Sequence, residues 1–184
     1  MRIRSLSLLA GAALLACSAA SAEQITFTFT GTGSGTLGGT SFSDATFRFT
    51  EVADTSQVSS CGAGCFYLDS MVATVSIAGV GSYQFSSPTR TYANRGYAGF
   101  SRGGDQGADL FNAGSPIVPV GWALNTDLAP VAYTGYLLQW DMEDVHTSGG
   151  VLNFASGGSA ATFSAVTAVP EPGSVALMLA GLGV

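Results

Sequence analysis

Alternating apolar and polar residues run through most of the middle of this chain. Near residue 25, the side chains of Ile25, Phe27 and Phe29 alternate with threonines, which is the period of two expected of a half-buried strand. Residues 45–50 repeat the pattern with phenylalanines on one face. These two segments predict strands that each bury one face.

A third alternating segment places its apolar side chains on one face from Met71 to Ile77. A glycine-flanked turn at 79–81 leads from it into the short apolar segment 83–85. Two such segments joined by a tight turn predict a β-hairpin.

The later part of the chain holds further strand candidates. The strongest is 133–142, whose buried face is expected to carry Tyr136, Leu138, Trp140 and Met142. The last predicted strand is 160–169 with Phe163 buried, and weaker candidates are 92–100, 109–112 and 151–155. Helical periodicity is absent between the two ends of the chain, so about nine strands predict an all-β fold, an antiparallel β-sandwich of jelly-roll type, over residues 23–168.

The first 22 residues have the pattern of an export signal. Arg2 and Arg4 precede the apolar run 6–16, and Ala20-Ser21-Ala22 supplies the small residues that signal peptidase requires. Cleavage between Ala22 and Glu23 is expected. A competing interpretation treats residues 14–17 as a lipobox with an acylated Cys17.

The C-terminal residues 169–184 differ in character from the domain before them. Val169-Pro170-Glu171-Pro172 is followed by the apolar run 174–184. Because both prolines fix φ and lack a backbone N–H, the motif is expected to be extended and accessible to an enzyme.

This ending resembles the PEP-CTERM sorting signal of exported bacterial proteins. The resemblance implies that the motif Val169, Pro170, Glu171 and Pro172 is processed by an exosortase after transient membrane insertion of the segment that follows. It also implies a Gram-negative host, a surface or extracellular location, and association with exopolysaccharide. The family signal ends in a basic cluster, which does not follow Val184, and eleven residues of helix span only about 16 Å. We therefore expect either a truncated sequence or a degenerate signal.

Charge limits the partners of the mature chain. The sequence contains no lysine, and removal of Arg2 and Arg4 with the signal leaves four arginines against 12 acids, a net charge of −8. This balance disfavours nucleic acid and anionic lipid as partners.

Cys61 and Cys65 are the cysteines that remain after the signal is removed. In an oxidising compartment they predict a local disulfide, since the intervening glycines allow a tight turn. A metal or redox site is a weaker alternative, because a metal needs more ligands than two thiolates.

Two other motifs bear on chemistry. Gly33-Ser34-Gly35-Thr36-Leu37-Gly38 matches the dinucleotide-binding fingerprint, but another strand pattern follows it where the fingerprint requires a helix, so a hairpin loop and no cofactor are expected.

Asp141, Glu143, Asp144 and the sole histidine, His146, form a dense acidic group. Alternation would place Asp141 and Glu143 on one face, where they could bind calcium; a solvated loop is the alternative.

The sequence motifs predict where the protein is sent more directly than they predict what its folded domain does. We expect a non-enzymatic surface or biofilm-matrix structural protein. A carbohydrate-binding module is the first alternative, in which some of Tyr92, Tyr97, Trp122 and Tyr133 would stack on sugars. A secreted hydrolase is the second, and it would require His146 or two carboxylates to converge in a cleft.

Overall fold

The computed structural model describes residues 23–104 and 107–168. These residues form an antiparallel, nearly all-β fold, as the alternating pattern predicted, and their one helix is the 3-10 turn Thr55–Gln57. None of their helices could cross a membrane. The strands are β1 (Gln24–Leu37), β2 (Thr40–Asp54), β3 (Ser59–Gly62), β4 (Cys65–Asp69), β5 (Val72–Ile77), β6 (Gly81–Gln84), β7 (Thr89–Asn94), β8 (Tyr97–Arg102), β9 (Asp109–Ala113), β10 (Leu128–Leu137), β11 (Val145–Thr147), β12 (Gly150–Phe154) and β13 (Gly157–Thr167).

All the strands belong to one hydrogen-bonded sheet. Its main path runs β3-β4-β7-β8-β9-β10-β13-β1-β2-β5-β6, and every pairing is antiparallel. The hairpin β11–β12 branches from the far half of β1, where Gly35 is opposite Phe154. An isolated bridge between Phe85 and Thr147 brings this hairpin beside the end of β6.

The sheet curls over so that its inner face packs against itself. Phe49 on β2 and Phe100 on β8 are separated by four intervening strands along the sheet, yet their rings stack with centroids 4.6 Å apart. In a flat sheet these strands would lie about 24 Å apart. The two halves therefore face each other across a shared core, which confirms the sandwich-like architecture.

Phenylalanine dominates that core. Seven phenylalanines are fully buried: Phe27, Phe29, Phe47, Phe49, Phe100, Phe111 and Phe163. Those on β1 and β2 are the ones that the alternation placed on one face, and Phe163 on β13 is buried as predicted. Burial of aromatic rings of this size supplies most of the hydrophobic stabilisation.

Three of the strand predictions are wrong in detail. Residues 92–100 form the hairpin β7–β8, because Arg95 and Gly96 have φ of 49° and 95°, the pair of positive values that a type I′ turn needs. Strand β10 ends at Leu137, and it is Leu137 that is buried while Tyr136 is 43% exposed.

The inner face of β10 is thus the opposite of the predicted one. Trp140 is buried, but in a turn after the strand, and Met142 is exposed in the same region. Met71 is likewise 58% exposed, since β5 begins one residue later and the burial starts at Ala73. The apolar pattern therefore began before the first residue of β5 and continued past the last residue of β10.

The two ends of the described domain lie side by side. Ile25 near the start of β1 is opposite Thr167 at the end of β13, and the Ala168 amide donates to the Gln24 carbonyl at 2.7 Å. The Asp127 carboxylate accepts hydrogen bonds from the amide and the hydroxyl of Thr167, at 2.6 and 2.7 Å, which lowers the pKa of Asp127. The chain is therefore held in place up to the residue before the Val169–Pro172 motif.

Candidate functional site

A polar and aromatic cleft of about 270 Å³ lies on the outer face of the half-sheet β4-β7-β8-β9. Its lining includes Tyr67, Arg90, Tyr92, Asn94, Ser101 and Asp109, together with the Cys61–Cys65 disulfide. We refer to it as the tyrosine cleft. It combines two aromatic rings with several hydrogen-bonding side chains.

Strand register brings these side chains together. Tyr67 on β4 is opposite Tyr92 on β7, and Arg90 on β7 is opposite Asp69 on one side and Ser101 on the other. Directly opposed residues on antiparallel strands point to the same face of the sheet. Alternation in each strand then puts the core residues inward and this set outward.

Asp109 is the centre of a hydrogen-bond network on the cleft wall. Its carboxylate accepts from the Ser101 hydroxyl at 3.0 Å and from the Asn112 amide at 2.9 Å. The Tyr92 hydroxyl lies 3.4 Å from the second carboxylate oxygen. Burial and the neighbouring Asp109 charge both raise the pKa of Tyr92, so its phenol stays protonated and able to donate.

One atom in this network has no partner. The side-chain oxygen Oδ1 of Asn112 is buried and accepts no hydrogen bond from the described residues. An unpartnered buried acceptor costs about 1–3 kcal/mol.

Arg90 organises the opposite wall. Its guanidinium lies 4.5 Å from the centroid of the Tyr67 ring and pairs with Asp69 at 2.8 Å. The cation–π contact and the ion pair together hold Tyr67 and Arg90 in one arrangement.

The predicted disulfide is present and forms one edge of the cleft. Cys61 and Cys65 are bonded, with Cα atoms 5.0 Å apart, across the β3–β4 hairpin. Because the hairpin lies at the end of the sheet path, the disulfide fixes the wall that carries Tyr67.

A second carboxylate network lies inside the sandwich. Glu51 on β2 is fully buried, and its carboxylate accepts hydrogen bonds from the hydroxyls of Ser70 and Thr91. Thr89 donates to Ser70 at 3.1 Å and completes the cluster. Burial raises the pKa of Glu51 to about 7, against the lowering effect of these hydrogen bonds.

Glu51 could have been found from the sequence. It continues the alternation of Phe47 and Phe49 and therefore points to the same inner face. An acidic residue in phase with buried phenylalanines predicts a buried carboxylate that requires hydrogen-bond donors.

The acidic group at 141–146 has a different geometry from the predicted one. Asp141 and Glu143 do not share a strand face, because β10 ends at Leu137 and both residues lie in the turn that follows. Glu143, Asp144 and His146 line a cleft of about 570 Å³ with Ser87 and Arg102, and Glu143 pairs with Arg102.

Asp141, Glu143, Asp144 and His146 are all exposed. Within residues 23–104 and 107–168, His, Cys, Asp and Glu residues form no cluster able to hold a metal ion. The arrangement is that of a solvated loop with one ion pair.

The aromatic candidates for sugar contact divide between the two faces. Trp122 is 8% exposed and packs edge-on against Phe27 in the core. Tyr133 also points inward, towards Phe111. Tyr92 lies in the tyrosine cleft, and Tyr97 is 42% exposed on the same outer face.

Tyr67 was missed by sequence reasoning because β4 was not predicted. The signal was the alternation in Cys65-Phe66-Tyr67-Leu68-Asp69, in which Leu68 is fully buried and Tyr67 points outward. A strand of five residues beside a disulfide loop gives too short a pattern to stand out.

The remaining predicted sites fall outside the described residues. These are the signal segment 1–22 with Ala22 and Cys17, the sorting motif Val169, Pro170, Glu171 and Pro172, and the apolar segment 174–184. Glu23, on the other side of the predicted signal cleavage, is the first described residue.

Comparisons of this chain with protein-family models, with curated proteins and with solved structures found no match.

Proposed function

We propose that this chain is an exported, exosortase-processed bacterial surface protein whose β-sandwich binds extracellular polysaccharide through the tyrosine cleft. The observation that carries the binding role is the placement of Tyr67 and Tyr92 on neighbouring strands, beside Arg90 and the Asp109 network. Aromatic rings offer a flat apolar face to a sugar, and planar polar side chains at the edge bind its hydroxyls.

Export and sorting are proposed from the two ends of the chain. The Arg2 to Ala22 segment has the pattern of a signal peptide, and Val169–Pro172 resembles the PEP-CTERM motif. The described domain supports this proposal, because β1 begins at Gln24 and β13 ends at Thr167, next to both expected processing sites.

We propose a binding role without catalysis. Asp69 pairs with Arg90, and Asp109 accepts hydrogen bonds from Ser101, Tyr92 and Asn112. In this proposal both carboxylates serve to position other groups. His146 lies at the neighbouring loop cleft, where the adjacent Ser87 hydroxyl accepts from the His146 backbone amide.

The binding role is tested with the mature protein purified from its host and applied to an array of bacterial polysaccharides. We expect at least one polysaccharide to be retained, and Tyr67→Ala to weaken its binding about tenfold, the effect of losing roughly 1.4 kcal/mol of contact energy. Tyr97→Ala is the control, because it removes an exposed tyrosine from the same face outside the cleft. Equal loss in both variants, or no retained polysaccharide, would contradict the proposal.

Processing is tested by the intact mass of unreduced protein recovered from the host surface and medium. We expect a chain that begins at Glu23, lacks the residues after the Val169–Pro172 motif and is two protons lighter than the dithiol. A mass that keeps the whole tail, or one that begins at an acylated Cys17, would show an anchored protein and refute this part of the proposal.

A further inference from the structure

The tyrosine cleft is one end of a longer row of side chains on the outer face of the sheet. Tyr67 is opposite Tyr92, Tyr92 opposite Gly99, Gly99 opposite Asn112, and Asn112 opposite Tyr136. The row crosses β4, β7, β8, β9 and β10 at right angles to the strands. With strands about 4.8 Å apart, it extends over roughly 19 Å.

Glycines along the row let the tyrosine rings lie down on the sheet. A Cβ added at Gly99 would stand 2.6 Å from Cζ of Tyr92, and one added at Gly158, opposite Tyr136 on β13, would stand 2.9 Å from Cε1 of Tyr136. Each ring therefore lies across the backbone of its neighbouring strand. A ring in this position turns one face to the sheet and the other outward, and Tyr136 is 43% exposed.

Two arginines beside the row are paired within the protein, Arg90 with Asp69 and Arg102 with Glu143. The Asp109 carboxylate accepts hydrogen bonds from the neutral side chains of Ser101 and Asn112. An acidic sugar would have to compete with these carboxylates for the arginines, and it would approach a mature chain of net negative charge. A neutral sugar needs only ring faces and hydrogen bonds.

We propose that this row is an extended platform for a neutral polysaccharide chain that runs across the strands, with Tyr136 forming a subsite separate from the tyrosine cleft. Several linked sugar rings would cover its length, stacking on Tyr136 at one end and entering the cleft at the other. This inference rests on the proposed polysaccharide-binding function and adds the class, direction and minimum length of the ligand.

The test is calorimetric titration of the mature protein with neutral oligosaccharides, namely the disaccharide, tetrasaccharide and hexasaccharide of β-linked glucose, mannose and xylose series, and with matched alginate oligosaccharides as the acidic probe. For a neutral series that binds, affinity should rise about tenfold or more from disaccharide to hexasaccharide, since a second stacking contact contributes about 1 kcal/mol or more. Tyr136→Ala should abolish this rise, whereas Tyr97→Ala should keep both the rise and the disaccharide affinity.

Tyr97→Ala is a matched control, because Tyr97 is 42% exposed on the same face but is not part of the row. If Tyr136→Ala fails to fold, Tyr136→Leu keeps an apolar side chain and removes the flat ring, and it should abolish the same rise. A hexasaccharide that binds no tighter than the disaccharide, or alginate that binds tighter than every neutral series, would overturn the platform while leaving the cleft as a polysaccharide site. Failure of every probe, together with an empty polysaccharide array, would overturn the proposed function as well.

Discussion

Two carboxylates in this domain are each held by neighbouring side-chain donors, and they differ chiefly in which face of the sheet carries them. Glu51 accepts from Ser70 and Thr91 on the inner face, where it is fully buried. Asp109 accepts from Ser101 and Asn112 on the outer face, beside the cleft that carries Tyr92.

The difference shows how strand alternation separates a buried network from one on the face proposed to bind polysaccharide. On the inner face, desolvation raises the pKa of Glu51 to about 7, so the group links folding to pH and is out of reach of a ligand. On the outer face, the same kind of network aligns side chains that a ligand can reach.

The largest effect should come from Glu51. Because its pKa is raised from 4.5 to about 7 by folding, the folded state binds the proton more tightly than the unfolded state does. Protonation of Glu51 therefore contributes fully to the free energy of unfolding below about pH 4.5. This contribution, roughly 3 kcal/mol, is lost as the pH rises to about 7. Asp69, whose charge also disfavours ionisation of Glu51, acts in the same direction. Denaturant unfolding at a series of pH values measures the loss.

Glu51→Gln should remove that pH dependence, since the amide does not titrate in this range. Asp141→Asn, on an exposed turn, is the control and should retain the wild-type loss. A wild-type unfolding free energy that does not fall between pH 4.5 and 7 would contradict the inner-face half of the comparison.

The second effect concerns the disulfide at the cleft edge. Replacing both Cys61 and Cys65 with serine should lower the free energy of unfolding by about 2 kcal/mol, because the closed loop is short. It should also weaken polysaccharide binding, since the wall with Tyr67 loses its covalent link. Thermal unfolding and array binding check the two outcomes, and unchanged binding would show that the cleft does not depend on the bond.

A smaller stability effect is expected at Asp109. Asp109→Asn places an amide opposite the Asn112 amide and disturbs the network, at a cost of about 1 kcal/mol. Polysaccharide binding should fall more strongly than stability. The reverse order, a large loss of stability with normal binding, would mean that the outer network is as structural as the inner one.

The smallest effect is local to the chain end. Asp127→Asn should loosen the hold on Thr167 and speed amide hydrogen exchange there, with little change in global unfolding. Because hydrogen bonds lower the pKa of Asp127, the wild-type protection should persist above the ordinary carboxyl range and be lost as the pH falls through the lowered pKa. Exchange at Phe163 on the same strand serves as the reference.

Local pattern was sufficient for several features of this protein. The alternation around Phe27, Phe29, Phe47 and Phe49 predicted the all-β class and the buried faces of β1 and β2, since side-chain direction in a strand follows from sequence position. The close spacing of Cys61 and Cys65, the glycines between them and the expected oxidising compartment predicted the disulfide that is present. The proposed export and sorting rest on the same kind of local evidence, in the motifs at the two ends.

The alternation of apolar and polar residues did not predict the turns and strand ends, because these depend on pairing with neighbouring strands. The turn at Arg95–Gly96 divided one predicted strand into two. The alternation of β10 put Leu137 inside and Tyr136 outside, and the end of β10 at Leu137 left the Asp141 to Asp144 group in the turn that follows. A run of apolar residues cannot show where its strand loses a partner.

The candidate site is assembled almost entirely by the tertiary structure. Tyr67, Tyr92, Asn112 and Tyr136 lie up to 69 residues apart in the sequence, and only the register of five antiparallel strands puts them in one row. The amino-acid sequence determined which residues alternate, and hence that a phenylalanine core would form inside a β-sheet. The pairing of the strands decided which outward side chains became neighbours, because register is a property of two strands together and of neither alone.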